Sequence, residues 1–597
     1  MAVVQRRQPP GKNYPPLLLA ALMMLGLLAV LPSALNLPQT NPAETLEYAP
    51  VPPEDQDTPP PAAGNFSSLG LGSSSGIAAS ASPEAELPGG GEVAGRAVKK
   101  PSTKRCVGTP PRQTEDPLAP PCVGFFEGDN GGATYQGVTR DEVRIIIMVT
   151  GFSSTGNWKG NDTSTPVRKY YDLAEPPKDD DHSVTRFLRA WQQYFNERYQ
   201  TYGRFVHFWA YYPGPSRVED RKADAVDNYN KIKPFAVIWP IGVANIPAYT
   251  DVMASKGVLS FTGLFGLRSA TFAKYPKMNW GFLPSLEEHS KSFSAYICEK
   301  VAGKPVEFSG NIGENGQPRK YGLIYSAAAI TPYTKDFVGL VEPQLKKCGV
   351  EFAIRRTHPE HGVAYDASAA ADDYAPEAMA AFQQEGVTTI LWLFGFETNF
   401  SKSAAAISYR PEWILAGDGL SEGNWNAQDQ EQSVWDHAVT FTLMTKTGPM
   451  GISTPCKDAY ITVDPEIPRG TLDLTQACFF YNGLRQLFTG IQVSGSRLNP
   501  ATMDKGFHAI PAIRSSDPSV PACYYAPGDY TCVKDGTILW YDSQFQDENS
   551  VNTPGCWRLT DGGQRYTPGQ WPGGNAMAQR KDSDPCNGNL GGRNVDD

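Results

Sequence analysis

VRIIIMVTGFSSTG, residues 143–156, is the stretch whose reading decides the fold. Val143 and Ile145 to Val149 are apolar without alternation, and the run breaks at Gly151 into a Ser/Thr/Gly loop. Unbroken apolar character over so short a length marks a strand buried on both faces, as in a parallel sheet covered by helices on either side. Ligands of such sheets sit outside the carboxyl ends of the strands, where Phe152, Ser153 and Ser154 fall. Ser/Gly turns also follow strands with no ligand near them, so the neighbouring segments have to decide.

Downstream, helical and strand periodicities alternate. Residues 157–181 read as an inserted loop ending in Asp179, Asp180, Asp181 and His182, without the glycine turn and ligand spacing of a calcium loop. Ser183 to Tyr202 reads as an amphipathic helix with Phe187, Leu188, Trp191, Tyr194, Phe195 and Tyr199 on one stripe. Phe205 to Tyr211 follows as a strand, Val218 to Lys231 as a helix, Phe235 to Trp239 as a strand, Ile246 to Ser255 as a helix and Gly257 to Phe261 as a strand. A second series runs through strands at Tyr321 to Tyr325, Val350 to Arg355, Thr388 to Phe394 and Trp413 to Ala416, with helices at Thr334 to Lys347, Pro376 to Glu385 and Ser401 to Ile407. Two consecutive strand–helix series predict two doubly wound α/β lobes with a cleft between them.

Upstream, Arg6, Arg7 and Lys12 precede the apolar run Leu17 to Leu31, and Glu44, Glu47, Glu54 and Asp55 follow it. That charge order leaves the amino terminus in the cytoplasm and the bulk of the chain outside. The run is read as an uncleaved signal-anchor, a single membrane helix, with a cleaved signal peptide and a secreted protein as the alternative. Residues 38–104, rich in Pro, Ala, Ser and Gly, cannot bury enough apolar surface to offset chain entropy and read as a disordered spacer.

The net charge of −10 and the lack of a basic stripe argue against a nucleic-acid binder. Aromatic residues make up 11% of the chain, which suits both cores and pockets for small organic ligands. All ten cysteines lie beyond the apolar run, with no CxxC pair, which points to disulfides in an oxidising compartment. Sequence neighbours suggest Cys106 with Cys122, Cys298 with Cys348, Cys456 with Cys478, Cys523 with Cys532 and Cys556 with Cys586, although spacing alone does not fix connectivity.

With this element order, and in particular EGVTTILWLFGFETNFSKSAAAISYRPEWILAGDGL at 385–420, the chain resembles the type I periplasmic binding proteins, the extracellular leucine/isoleucine/valine-binding family. Phe282-Leu283-Pro284-Ser285 and LDLTQACFFYNGLRQLFTG at 472–490 strengthen the resemblance, which covers about residues 141–566. It implies two Rossmann-like lobes joined by three crossovers that close on a ligand. Ahead of that region the charge order and composition give a cytoplasmic tail at 1–15, a membrane segment or signal peptide at 16–37, and a linker with a small Cys-closed lead-in at 38–137. Lobe one follows at 138–284 with a return at 439–515, lobe two at 285–438 with its edge and carboxyl-terminal strands at 516–567, and a disordered tail at 568–597.

The same resemblance implies a ligand site of Phe152, Ser153, Ser154, Asn245, Thr262 and Gly263 from lobe one, facing Tyr333, Phe394, Phe396 and Asp418 from lobe two. Asp418, in Gly417-Asp418-Gly419, matches an acid that anchors an ammonium group; as a plain turn acid it would do nothing of the kind. Residues 242–245 read GVAN where the family has a Ser/Ser pair, so the ligand class extends from amino acids to amides, amines, peptides and aromatic compounds.

Catalytic signatures are missing. There is no GxSxG elbow, P-loop, HExxH or GxGxxG after a strand, and the proline in His358-Pro359-Glu360-His361 makes that pair a loop rather than a metal site. The expectation is a binding protein without catalytic residues, cofactor or metal. It would capture a small polar or amphipathic ligand and present it to an ABC-type permease. The alternative is a membrane-anchored sensor or scaffold for a cell-envelope protein.

Overall fold

Val143, Ile145, Ile147 and Val149 point into one apolar cluster and Ile146 and Met148 into another, and every one of these side chains is buried. Both faces of the strand are therefore covered, which is why its sequence carries no alternation. In the computed structural model the strand is central to a six-stranded sheet. The residues described are 105–149, 168–178, 184–214, 217–239, 245–262, 266–326, 332–358, 367–393, 398–417, 421–444, 454–465, 477–512, 520–545, 554–573, 577–584 and 586. All belong to one compact unit.

The strands in chain order are β1 (Cys106–Val107), β2 (Arg112–Gln113), β3 (Glu142–Met148), β4 (Lys169–Asp172), β5 (Phe205–Tyr212), β6 (Ala236–Trp239), β7 (Leu259–Thr262) and β8 (Asn279–Gly281). They continue with β9 (Tyr321–Ser326), β10 (Phe352–His358), β11 (Thr389–Leu393), β12 (Glu412–Ala416), β13 (Ala438–Thr442), β14 (Thr537–Asp542) and β15 (Cys556–Leu559). The first sheet has the order β4-β5-β3-β6-β7-β8, and the second β10-β9-β11-β12-β13-β14-β15. All neighbours in the first sheet run parallel except β4, and all in the second except β14 and β15. The parallel pairs are connected through helices, as parallel strands require.

In the first lobe the helices Val184–Arg198 and Tyr481–Ser494 cover one face, with Phe195 stacked on Phe488 at 4.9 Å between ring centroids. Helices Val218–Ile232 and Ile246–Ser255 cover the other through Ala225, Tyr249 and Met253. In the second lobe Leu323, Leu391, Ile414 and Phe441 face the helices Leu286–Tyr296 and Pro332–Lys347. On its opposite face Trp392, Trp413 and Trp435 form a triangle with centroids 5.6, 5.8 and 5.6 Å apart. Such large rings dominate the burial that holds a sheet to its helices.

The chain passes between the sheets three times: after β8, after β13 and before β14. The crossings are tied to one another. Cys532 N and Val533 N donate to Gly281 O and Phe282 O at 3.0 Å each, so the third crossing pairs with the first. Arg565, buried, donates to Leu443 O (2.9 Å) and Met444 O (2.8 Å) on the second crossing and to Asp535 Oδ1 (2.7 Å) on the third.

Several sequence expectations need correction. The lead-in is not a linker: Asp116 is fully buried, accepts from Tyr481 Oη at 2.5 Å and lies 3.3 Å from Arg485 Nη1, while Glu115 pairs with Arg198. The chain leaves the second sheet past Thr442 rather than at 438, because residues 438–441 pair with β12 and residues 439–442 with β14. Residues 523–533 extend the edge of the first sheet, where Thr531 bridges Gly281, instead of belonging to lobe two. The described residues of the tail are packed: Met577 and Ala578 are buried, Lys300 Nζ donates to Pro572 O at 2.9 Å, and Arg580 lies 3.9 Å from the ring centroid of Phe308. Its glycines and prolines mimic a disordered composition, but a disulfide and cationic side chains on aromatic faces hold it. The segment read as an inserted loop contains the edge strand β4.

Five disulfides join Cys106–Cys122, Cys298–Cys348, Cys456–Cys478, Cys523–Cys532 and Cys556–Cys586, each linking sequence neighbours. Among the described residues no helix is long and apolar enough to cross a membrane. The apolar run Leu17 to Leu31, the tail before it and the spacer after it lie outside the described residues.

Candidate functional site

The parallel strands of each sheet end on one edge, at Met148, Trp239 and Thr262 in the first and Ser326, Leu393 and Ala416 in the second. The two edges come together. Arg268, six residues past the end of β7, donates to Glu287 Oε1 at 2.6 Å, and its Nη1 lies 3.0 Å from Asp336 Oδ2 in the helix that follows β9. A segment from the carboxyl end of a first-lobe strand thus touches its counterpart in the second lobe. Ser269 adds its backbone N–H and hydroxyl to Glu287 Oε2 at 2.8 and 2.9 Å. Burial works against the Glu287 charge, but these bonds and Arg268 outweigh it and hold the carboxyl below its ordinary range. Arg268 is pushed up, first by its bond to Glu287 and also by Asp336.

Of the ten expected ligand residues, the structure describes part. Thr262 is buried at the end of β7, and its backbone accepts from Phe282 N at 2.9 Å, which ties the strand end to the first crossing. Asn245 caps the helix Ile246–Ser255 with a left-handed φ of 58°, a conformation Asn tolerates better than most residues. Tyr333 lies in the first turn of the helix Pro332–Lys347. Phe152, Ser153, Ser154, Gly263, Phe394, Phe396 and Asp418 lie outside the described residues, as does GVAN apart from Asn245. So do residues 179–182 and His361, while His358 ends β10. No group of three or more His, Cys, Asp or Glu able to hold a metal occurs among the described residues.

Beside the expected Asp418, sequence reasoning missed Glu422. This carboxylate, six residues past the last residue of β12, is buried, and its Oε1 accepts from Thr442 Oγ1 at 2.8 Å and its Oε2 from Ser421 Oγ at 3.3 Å. Gly417 is packed against it: a Cβ there would stand 2.1 Å from Glu422 Oε1 and 2.3 Å from Phe441 O, so no other residue fits. Gly417 N donates to Phe441 O at 2.7 Å, which ties the end of β12 to β13. A polar Ser-Glu-Gly-Asn stretch after a strand reads as an exposed turn, and only its burial distinguishes it.

No family model matches the chain, and no curated protein matches it. Several solved structures are similar at low identity. A solute-binding protein of an ABC transporter from Rhodopseudomonas palustris BisB5, in complex with 3,4-dihydroxybenzoic acid, is 11% identical over 72% of this chain and 98% of its own, with a TM-score of 0.48. A leucine-, isoleucine-, valine-, threonine- and alanine-binding protein from Brucella ovis is 11% identical over 74% and 99%, with a TM-score of 0.49. A fatty acid ABC transporter substrate-binding protein from Thermomonospora curvata is 11% identical over 74% and 97%, with a TM-score of 0.47.

Proposed function

We propose that the protein is an extracytoplasmic solute-binding protein that takes a small polar or amphipathic molecule between its lobes and presents it to an ABC-type permease. The observation that carries this is the meeting of the two strand-end edges at Arg268 and Asp336 above three crossings tied into one hinge. Loops at such edges are where open α/β sheets bind ligands, and two sheets joined at a hinge can close on one. Phe152, Ser153, Ser154, Asn245, Thr262 and Gly263 would form one wall, and Tyr333, Phe394, Phe396 and Asp418 the other. Five disulfides suit an oxidising compartment, and Leu17 to Leu31 would hold the chain to the membrane.

A second reading, a tethered sensor or scaffold for an envelope partner, draws support from the lead-in. The segment that joins the amino-terminal stretch to the lobes is bound to the helix Tyr481–Ser494 through Asp116, Tyr481 and Arg485, and the Arg485 guanidinium lies 4.8 Å from the Phe282 ring on the first crossing. The lead-in is thereby tied, through Arg485, to the first crossing.

A thermal-shift panel of amino acids, primary amides, amines, short peptides and aromatic acids tests the ligand reading, because a ligand that binds only the folded chain raises its melting temperature by mass action. A hit that Asp418→Asn or Ser153→Ala weakens supports the cleft; no hit across the panel contradicts the proposal.

A further inference from the structure

His207 on β5 is buried, with Nδ1 2.6 Å from Glu142 Oε1 on β3 and Nε2 2.5 Å from Asp172 Oδ1 on β4. Ionised carboxylates only accept hydrogen bonds, so both ring nitrogens have to donate, and only the imidazolium does that. We propose that His207 is a pH-sensitive clasp: as an imidazolium bridging Glu142 and Asp172 it holds the edge strand β4 on the first sheet, and loss of its proton releases β4. This inference is independent of any ligand.

The surroundings support the charge count. Arg144 on β3 lies 3.3 Å from Glu142 Oε2, so two cations face two carboxylates while His207 is protonated, and the half-buried cluster becomes net negative when it is not. On its own strand the ring packs on Trp209, with centroids 3.5 Å apart, and on Phe205 at 6.0 Å. From the helix Val184–Arg198, Arg189 Nη2 reaches Asp172 O at 3.4 Å, and Ala174 N donates to Asp172 Oδ1 at 2.8 Å. Burial alone would favour the neutral ring, but the bonds to Asp172 and Glu142 outweigh it and raise the His207 pKa above its ordinary 6.5.

β4 is also held by its backbone ladder to β5 and by side chains on the helix Val218–Ile232. Arg168 Nε donates to Asp224 Oδ1 at 2.9 Å and Tyr170 Oη to Asp227 Oδ2 at 3.1 Å. Burial pushes the Tyr170 hydroxyl well up, away from this window. A group with a raised folded pKa stabilises fully below its unfolded value, and that stability is lost as pH rises through the folded value. The clasp is therefore closed at pH 6 and opens on the alkaline side of 6.5.

Hydrogen–deuterium exchange of the peptide over residues 169–173 in the full chain, corrected for intrinsic rates, tests this. Between pH 6 and pH 9 its protection should fall, because release of β4 is linked to loss of the His207 proton. His207→Gln should hold protection near one level across that range. Protection that is flat in the wild type, or that falls equally in His207→Gln, overturns the proposal. If the variant does not fold, selective 13C labelling of the histidine rings decides: a buried ring titrating above 6.5 in step with the exchange supports the clasp, and one titrating at or below 6.5 overturns it.

Discussion

Arg268 of the first lobe and Asp336 of the second meet at 3.0 Å, and Arg268 also holds Glu287 at the start of the helix that opens the second lobe. The pair joins the segments that follow β7 and β9, so it reports how closely the two strand-end edges approach. Both side chains are about two-fifths exposed, at 41% and 39%, and exposed pairs contribute about 0–1 kcal/mol. Asp336→Asn should therefore leave the unfolding midpoint almost unchanged while widening the distribution of inter-lobe distances, an effect that high salt reproduces in the wild type. Single-molecule fluorescence at low and high salt checks this.

Arg565 gives the opposite case. It is buried and supplies donors to Leu443 O, Met444 O, Asp535 O and Asp535 Oδ1, so Arg565→Met takes this donor from three carbonyls and from a half-buried carboxylate that keeps only Ala522 N. Breaking one side of a fully buried pair costs about 3–5 kcal/mol, and the partial exposure of Asp535 sets this loss at about the lower end. Urea unfolding should show that loss, and exchange at residues 443–444 and 533–536 should rise more than in either lobe.

In the second lobe Arg319 and Glu412 are 1% and 0% exposed and 2.8 Å apart, and Glu412 Oε2 also accepts from Thr389 Oγ1 at 2.6 Å. Burial opposes the Glu412 charge, but the bond from Arg319 outweighs it and sets the pKa below 4.5. A depressed carboxylate stabilises above its unfolded pKa, and that stability is lost as pH falls through the folded value. Glu412→Gln should thus lower stability by about 3–5 kcal/mol at neutral pH and flatten its decline below pH 4.5. Acid titration of urea midpoints measures both effects.

The Cys556–Cys586 bond spans 30 residues and fastens the tail over β15. Chain-entropy arguments give about 3–4 kcal/mol for a loop of that length. The double substitution of both cysteines by serine should cost about that much and admit proteolysis within residues 568–586, leaving the lobes intact. Limited digestion followed by mass spectrometry checks this.

Much of the fold was legible in the sequence where burial is two-sided. β3, β6, β11 and β12 are apolar without alternation, and the helix Val184–Arg198 carries its aromatic stripe at helical spacing. β4 was not, because Lys-Tyr-Tyr-Asp has no apolar run and is held at the sheet edge by Arg168, Tyr170 and His207 contacts from distant residues. The lead-in and tail were misread for a related reason. Their prolines and glycines signal disorder, and the buried Asp116–Arg485 pair, 369 residues apart in sequence, leaves no local mark. Within the candidate site, Thr262 and Asn245 were readable as strand-end and helix-start residues, whereas Glu422 depended on Thr442 from another strand to make it a buried group.

The central claim is that the lobes close on a ligand, and the distance between them measures it most directly. Fluorophores on unnatural amino acids at the exposed positions Lys222 and Lys346, one on each lobe, leave the five disulfides untouched. A compound that raises the melting temperature should shift the population to a shorter inter-lobe distance, and Asp418→Asn or Asp336→Asn should reduce that shift. A distance that stays fixed when a stabilising compound saturates the protein would contradict closure on a ligand.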